Sequence, residues 1–167
     1  QVRDQDLIVD AVIAEDPRRI AKVWKTVAQQ PGKYRHRLTP IIEVLQAVKP
    51  GYSLVGVNKL LIELIRDELN STTKVSLDTT VSLAGSKSER LLHRLRRHEP
   101  YMKEYYLGQG ALDYFDRGVF DGIACYVQDP SQLASLPSIV QLIATEPDPV
   151  DVILTKGSWR SWTEQEV

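Results

Sequence analysis

Proline and glycine divide the first half of the chain into short segments whose apolar residues recur at helical spacing. The pattern is interrupted at Asp16-Pro17, at Gln30-Pro31-Gly32 and at Lys49-Pro50-Gly51. Between these interruptions the apolar side chains lie three and four residues apart, which places them on one face of an α-helix. The sequence therefore predicts short helices in this region, at residues 4–15, 17–30 and 39–49.

Hydroxyl side chains mark the beginnings of two helices. Thr39 precedes Pro40, and a capping hydroxyl before a proline in the first turn is typical of a helix start. Ser53 is placed to cap the next helix, at residues 53–69, whose apolar residues occupy most of its faces. We therefore predict that the helix at 53–69 is the buried centre of the fold.

The remainder of the chain is also predicted to be largely helical. Further helices are expected at residues 86–98, 99–107, 111–127 and 131–144. Residues 74–83 alternate partly between hydroxyl and apolar side chains, which is typical of a strand or of a linker, and residues 150–155 contain a short apolar run. The predicted fold class is mostly α, a compact multi-helix globule with at most a small β element near 74–83 and 150–155.

The single cysteine and the short apolar runs limit the compartment and the chemistry. Cys125 is the only cysteine, so the chain can form neither an internal disulfide nor a cysteine-based zinc site. No apolar run approaches the roughly 18 residues that span a bilayer. We expect a cytoplasmic protein with no membrane partner, in which Cys125 is a buried and unreactive thiol.

Charge is distributed unevenly along the chain, although the formal net charge is only -1. Residues 1–97 hold 17 Lys and Arg against 11 Asp and Glu, whereas residues 98–167 hold 4 against 11. We predict a single domain over 1–167 that can divide into a helical lobe at 1–70 and a second at 86–167, with a basic first helix and an acidic remainder. The candidate nucleic-acid-binding residues form two basic clusters: Arg18, Arg19, Lys22, Lys25, Arg35 and Arg37, and then Lys87, Arg90, Arg94, Arg96 and Arg97.

The second basic cluster suits a helix that binds phosphates. Arg90, Arg94 and Arg97 are four and three residues apart, which brings them to one helix face, while the leucines at 91, 92 and 95 turn toward the core. Cations on such a face gain affinity for nucleic acid by releasing condensed counterions. The alternative is that the arginines form a solvated face, paired with the acids of the second half.

Part of this region resembles a known type of segment. Gly85-Ser86-Lys87, the run Leu91 to Arg97, Pro100 and Tyr106-Leu107-Gly108 are similar to a helix-turn-helix-like segment of uncharacterised proteins of bacteria and their mobile elements. The resemblance covers residues 85–108 and implies DNA binding. The chain departs from the pattern after residue 110, where an alanine-rich helix would follow.

Catalytic and metal-binding patterns are weak in this sequence. His93 and His98 are five residues apart, which does not place them together on one helix face as a zinc pair requires. The sequence has no glycine-rich phosphate loop and no nucleophile elbow. We expect the acids at 113, 116 and 121 to be solvated, and the aromatic group at 101, 105, 106, 114 and 115 to pack in the core or to leave one ring at an interface. A non-enzymatic protein without a cofactor is therefore expected.

Two functions follow from the charge pattern. The first is a non-enzymatic DNA-binding or regulatory protein that binds double-stranded DNA through its basic helices. The alternative is a protein-interaction or self-assembly module, in which the acidic C-terminal half attracts the basic half of another copy or another protein. The sequence leaves both open.

Overall fold

The computed structural model describes residues 10–13, 16–77, 84–128, 137–157 and 159–161. Over these residues the fold is mostly α-helical with one small sheet, which confirms the predicted fold class. The described helices are α1 (Pro17–Ala28), α2 (Thr39–Ala47), α3 (Leu54–Glu68), α4 (Lys87–His98), α5 (Ile139–Thr145) and α6 (Pro149–Lys156). The described strands are β1 (Glu104–Leu107), β2 (Ala124–Gln128) and β3 (Trp159–Ser161).

The chain forms two compact units that do not follow chain order. Residues 1–79 and 137–152 make the first unit, and residues 80–136 and 153–167 make the second. The sequence alone placed 137–152 in the second lobe. In the structure α5 packs with the first unit, because Ile143 and Ala144 are fully buried against Leu38 and Ile41.

Glycine allows the close approach of α5 in the first unit. Gly32 has a φ of +151°, and a Cβ built on it would lie 2.1 Å from the carbonyl oxygen of Ala144. The backbone N–H of Tyr34 donates to that same oxygen over 2.8 Å. A side chain at position 32 would therefore displace the backbone that closes the core.

The helix starts are partly as predicted. Ser53 caps α3, since its hydroxyl accepts from the N–H of Gly56, and Asp16 caps α1 in the same way through Arg18. Thr39 does not cap α2. It already has helical backbone angles, continuing the 3₁₀ turn Arg35–Leu38, and its hydroxyl donates to the carbonyl of His36 over 2.7 Å. A residue whose side chain caps a helix typically has an extended backbone, which the preceding turn prevents at Thr39.

The helix predicted at 4–15 is wrong where the structure describes it. Residues 11–13 belong to no helix, and Val12 forms an isolated antiparallel bridge with Ser53. The N–H of Ile13 donates to the carbonyl of Tyr52 over 2.8 Å. The loop before α3 offers backbone partners to this segment, and these replace the local hydrogen bonds of a helix. The other residues of 4–15, apart from 10, lie outside the described part of the chain.

Helix α3 is not the buried centre of the fold. All of its residues are described and none is buried, and Leu60 and Ile62 are 43% and 51% exposed. The half-buried leucines and isoleucines of α3 pack on one side against the core that α2 and α5 build. Charged residues recur along α3 from Lys59 to Glu68, and the cost of removing them from water keeps the helix at the surface.

The second unit contains a three-stranded sheet where helices were predicted. Strands β1 and β2 are parallel, with Tyr106 opposite Tyr126, and β3 is antiparallel to β2. The helices predicted at 99–107 and 111–127 are therefore wrong, since two strands and the 3₁₀ turns Gln109–Tyr114 and Arg117–Phe120 occupy these ranges. The β-propensity of the tyrosines and valines, together with tertiary pairing, outweighs the approximate helical spacing.

Three further predictions concern the segments 150–155, 74–83 and 131–144. Residues 150–155 belong to α6 and not to a strand, because Pro149 begins the helix and the Asp148 carboxylate accepts from the N–H of Asp151. Residues 74–77 form no strand, and 78–83 lie outside the described residues. The helix predicted at 131–144 is observed at Ile139–Thr145, and 131–136 are likewise not described.

Within the described chain, no helix is long and apolar enough to cross a membrane.

Two leucine substitutions test where the core of the first unit lies. Leu45→Ala removes a buried side chain of α2 and should lower the free energy of unfolding by about 2–5 kcal/mol. Leu60→Ala removes a side chain of α3 that is 43% exposed, and should cost less than about 1 kcal/mol. Denaturant titration of both variants measures the difference. If Leu60→Ala lowers the free energy of unfolding as much as Leu45→Ala or more, α3 is central to the core after all.

Candidate nucleic-acid interface

The start of α4 is held by a reciprocal pair of hydrogen bonds. The Ser86 hydroxyl accepts from the N–H of Glu89 over 3.2 Å, and the Glu89 carboxylate accepts from the N–H of Ser86 over 2.6 Å. These hydrogen bonds lower the pKa of Glu89 below its ordinary value and keep the carboxylate charged. The Ser-x-x-Glu spacing is visible in the sequence, and it marks the first residue of the helix more sharply than apolar periodicity does.

The inner face of α4 is fixed on the core of the second unit. Leu92 is buried, and Leu91 and Leu95 pack against the same cluster, as predicted. Ser88 is also buried, and its hydroxyl accepts from the N–H of Asp116 over 2.8 Å. This hydrogen bond ties α4 to the turn that begins after Asp116. Together these contacts set which residues of α4 face solvent.

The cations of α4 differ in exposure. Lys87, Arg96 and Arg97 are exposed, whereas Arg90 and Arg94 are half-buried. Solvent exposure therefore differs along the predicted face of Arg90, Arg94 and Arg97. Its most exposed charge is that of Arg97, in the last turn of the helix. Arg96 and Arg97 also line an open cavity of about 310 Å³, whose other lining residues are Glu89, Leu92, His93 and Val119.

Helix α1 presents a second group of exposed cations, in the first unit. Arg18, Lys22 and Lys25 are four and three residues apart and line one surface depression of about 470 Å³. Arg19 lies beside them and pairs with Asp16 over 3.4 Å, in an exposed contact that contributes little to stability. The two basic groups belong to different units of the chain.

Arg35 and Arg37 have different roles. Arg35 is exposed, but the guanidinium of Arg37 donates to the carbonyls of Glu146 and Pro147, over 3.1 and 3.2 Å. Its Nε also lies 3.5 Å from a carboxylate oxygen of Glu68. Through these contacts Arg37 holds the segment after α5 in the first unit. Arg37 therefore has a structural role in the first unit.

The histidines of α4 and the three aspartates singled out in the sequence are exposed in the structure. No group of three His, Cys, Asp or Glu within the described ranges could hold a metal ion. His93 and His98 are both exposed, as are Asp113 and Asp121. Asp116 is exposed too, and its carboxylate caps a 3₁₀ turn by accepting from the N–H of Gly118 over 2.9 Å.

The predicted aromatic group separates into two sets. Tyr105 stacks on Phe115 and Phe120 in the core of the second unit. Tyr101 and Tyr106 are exposed, and the side chain of Tyr114 lies outside the described part of the structure. Sequence reasoning did not find Phe120, which is fully buried, because the interrupted apolar pattern around it follows no regular period.

The stretch that resembles a helix-turn-helix segment contains one helix and one strand. Helix α4 is followed by β1, and no second helix is present over the described residues 85–108. Any contact with DNA made from this region would therefore depend on α4 alone.

Comparison with known proteins gives one match. The model of the WbqC-like protein family matches residues 1–136. This range contains both basic groups, all of α1 to α4, and the strands β1 and β2. No curated protein and no solved structure matches the chain.

The reactivity of Cys125 tests the packing beneath the sheet. Its side chain is 4% exposed, and burial raises the pKa of the thiol, although the charge of Arg117 acts in the opposite direction. Because a raised pKa leaves less thiolate at a given pH, a thiol reagent at pH 8 should label the native protein far more slowly than the unfolded protein. Ala124→Cys, placed at the exposed neighbouring position, is the matched control and should react rapidly. Stoichiometric labelling of Cys125 at the rate of the control would contradict the burial.

Proposed function

The chain belongs to the WbqC-like protein family, and we propose that it is a non-enzymatic protein that binds duplex DNA through the exposed cations of α4. The observation that carries this proposal is the arrangement of charge on that helix. Glu89 is the only acid between Lys87 and His98, and its carboxylate is bound to the N–H of Ser86 at the beginning of the helix. Cations therefore outnumber acids three to one among the exposed residues of α4, which are Lys87, Arg96 and Arg97 together with Glu89, His93 and His98.

The length of the cationic face suits contact with several phosphates. Lys87 and Arg97 are ten positions apart, which corresponds to about 15 Å along a helix. Duplex DNA carries one charge for every ~1.7 Å of its axis, so a face of this length meets more than one phosphate. Such contacts provide affinity and orientation without reading the base sequence.

Helix stability alone does not account for these cations. Arg96, Arg97 and His98 occupy the last turn of α4, where positive charge also stabilises the negative end of the helix dipole. Lys87 is the first residue of the helix, where the same dipole disfavours a cation. An anionic ligand along the whole face would favour both positions.

Helix α1 supplies a second surface of the same kind. Arg18, Lys22 and Lys25 are exposed, share one face and have no acid beside them in the helix. Arg19 and Arg35 are exposed in the same unit. We propose that this surface adds phosphate contacts that are independent of base sequence, as the cations of α4 do.

Self-assembly through complementary charge is the alternative, and it has less support. The acids between residues 98 and 167 do not share one body, since Glu146, Asp148 and Asp151 belong to the first unit. Asp113, Asp116 and Asp121 belong to the second unit, with α4. The acids of the second half of the chain are therefore divided between the two units, as the two basic groups are.

The salt dependence of DNA binding tests the role of α4. The variant with Lys87→Gln, Arg96→Gln and Arg97→Gln removes three exposed charges and leaves the leucines of the inner face unchanged. If each cation neutralises about one phosphate, the slope of log affinity against log salt should fall by roughly 3. Fluorescence anisotropy of a labelled 20-base-pair duplex at a series of salt concentrations measures this slope.

A control variant separates position from net charge. Lys49→Gln, Lys74→Gln and Lys103→Gln together remove the same charge from exposed positions outside both basic groups. The slope should stay near that of the parent protein. Equal losses in the two variants, or no DNA binding by the parent protein at low salt, would overturn the proposal. In the second case, self-association that weakens with salt, measured by light scattering, would support the assembly alternative.

A further inference from the structure

The three strands of the second unit bring aromatic side chains together on one face of the sheet. Side chains alternate along each strand, so Leu107, Cys125 and Val127 enter the core while their neighbours face outward. The outward neighbours include Tyr106 in β1 and Tyr126 in β2, which are opposite each other in register. Trp159 in β3 is opposite Gln128, two residues beyond Tyr126 and on the same face.

The three rings form one continuous patch. Tyr106 stacks on Tyr126 with centroids 4.9 Å apart and planes inclined by 18°. Trp159 meets Tyr106 nearly at a right angle, with centroids 5.1 Å apart. Tyr106 and Trp159 are nevertheless 49% and 46% exposed. Cross-strand ring contacts stabilise a small sheet, and they leave nearly half of each of these two rings in contact with water.

The size of the patch fits a short ligand better than a second copy of the chain. A tyrosine or tryptophan side chain buries roughly 200 Å² when fully enclosed, so the exposed halves of Tyr106 and Trp159 offer about 200 Å² together. A stable dimer buries about 800 Å² on each partner. The patch therefore matches a peptide segment of a few residues.

The charge of the face selects among short ligands. Glu104 carries the only formal charge among the described strand residues that face outward, and its carboxylate accepts from the Tyr106 hydroxyl over 2.9 Å. This hydrogen bond raises the pKa of Tyr106 above its ordinary value. A carboxylate with no cation beside it among the described outward residues of the strands disfavours a phosphate backbone and favours a ligand that carries positive charge.

We propose that this aromatic face binds an extended, proline-rich segment of a partner protein that carries an arginine or lysine beside Glu104. A polyproline II segment is already extended, so little conformational entropy is lost when it binds. The exposed parts of the Tyr106 and Trp159 rings offer an apolar surface on which a pyrrolidine ring can pack. The indole N–H of Trp159 and the hydroxyl of Tyr126 supply donors for the carbonyls that a polyproline II segment leaves unpaired.

This site is independent of the proposed DNA contact. Helix α4 contributes Leu92 to the core beneath the opposite face of the sheet, and none of its cations lies on the aromatic face. The two activities can therefore be abolished separately. Loss of one by substitution should leave the other intact.

Peptide titration of the full chain tests the proposal. The probes are a blocked decapeptide of nine prolines and one arginine, a blocked decapeptide of proline alone, and a glycine–serine decapeptide with one arginine. NMR spectra that follow the indole signal of Trp159 should show binding of the first two and not of the third. Tyr106→Ala should weaken binding of the arginine-containing proline peptide at least tenfold, and Trp159→Ala is a second variant with the same expected loss should the first unfold.

Two controls define the contribution of the ring and of the charge. Tyr101→Ala removes a tyrosine that is 86% exposed and lies outside the patch, and should leave binding unchanged. Glu104→Gln should weaken binding of the arginine-containing proline peptide but not of the all-proline peptide. The proposal is overturned if neither proline peptide binds at millimolar concentration, or if removing the rings has no effect. It is also overturned if a single-stranded thymidine oligonucleotide displaces the peptide, since the face would then be a platform for bases.

Discussion

The second unit depends on the burial of one side of α4. Leu92, together with the partly buried Leu91 and Leu95, anchors the helix in the core, and the hydrogen bond between Ser88 and Asp116 fixes its rotation about its axis. Water is excluded from this side, so the charged residues of the helix can lie only at its margins or on the opposite side. The cationic face is thus a direct consequence of where the leucines occur, and it would exist whether or not a ligand binds to it.

The sequence predicts the helices best where local signals agree. Pro17 and Gln30-Pro31-Gly32 bound α1, Ser53 begins α3, and the leucines of α4 have helical spacing, so each of these helices was predicted within a few residues. These signals act between residues that are close in the chain. The basic face of α4 could be predicted for the same reason, since it requires only the helix period.

The failures occur where residues distant in the chain decide the structure. The segment 104–107 is a strand because it pairs with 124–127, and the β-propensity of its two tyrosines does not decide the outcome without that pairing. The structural role of Arg37 depends on carbonyls more than 100 positions away. The aromatic face needs the register of three strands, so a list of tyrosines and tryptophans does not reveal it. The prediction that α3 is buried was wrong for a different reason. It gave more weight to the apolar residues of the helix than to its recurring charges.

Residues 137–152 belong to the first unit although they follow the second unit's core in the chain, and this order affects how the protein folds during synthesis. The core around Leu38 and Ile41 is completed by Ile143 and Ala144, which the ribosome adds about 100 residues later. The second unit has its own core from Leu92 to Val127, which is complete before α5 exists. The apolar surface around Leu38 and Ile41 therefore stays exposed to water while the ribosome synthesises the residues between α3 and α5. Helices α1 to α3 are the part of this protein that most needs protection from aggregation before the chain is finished.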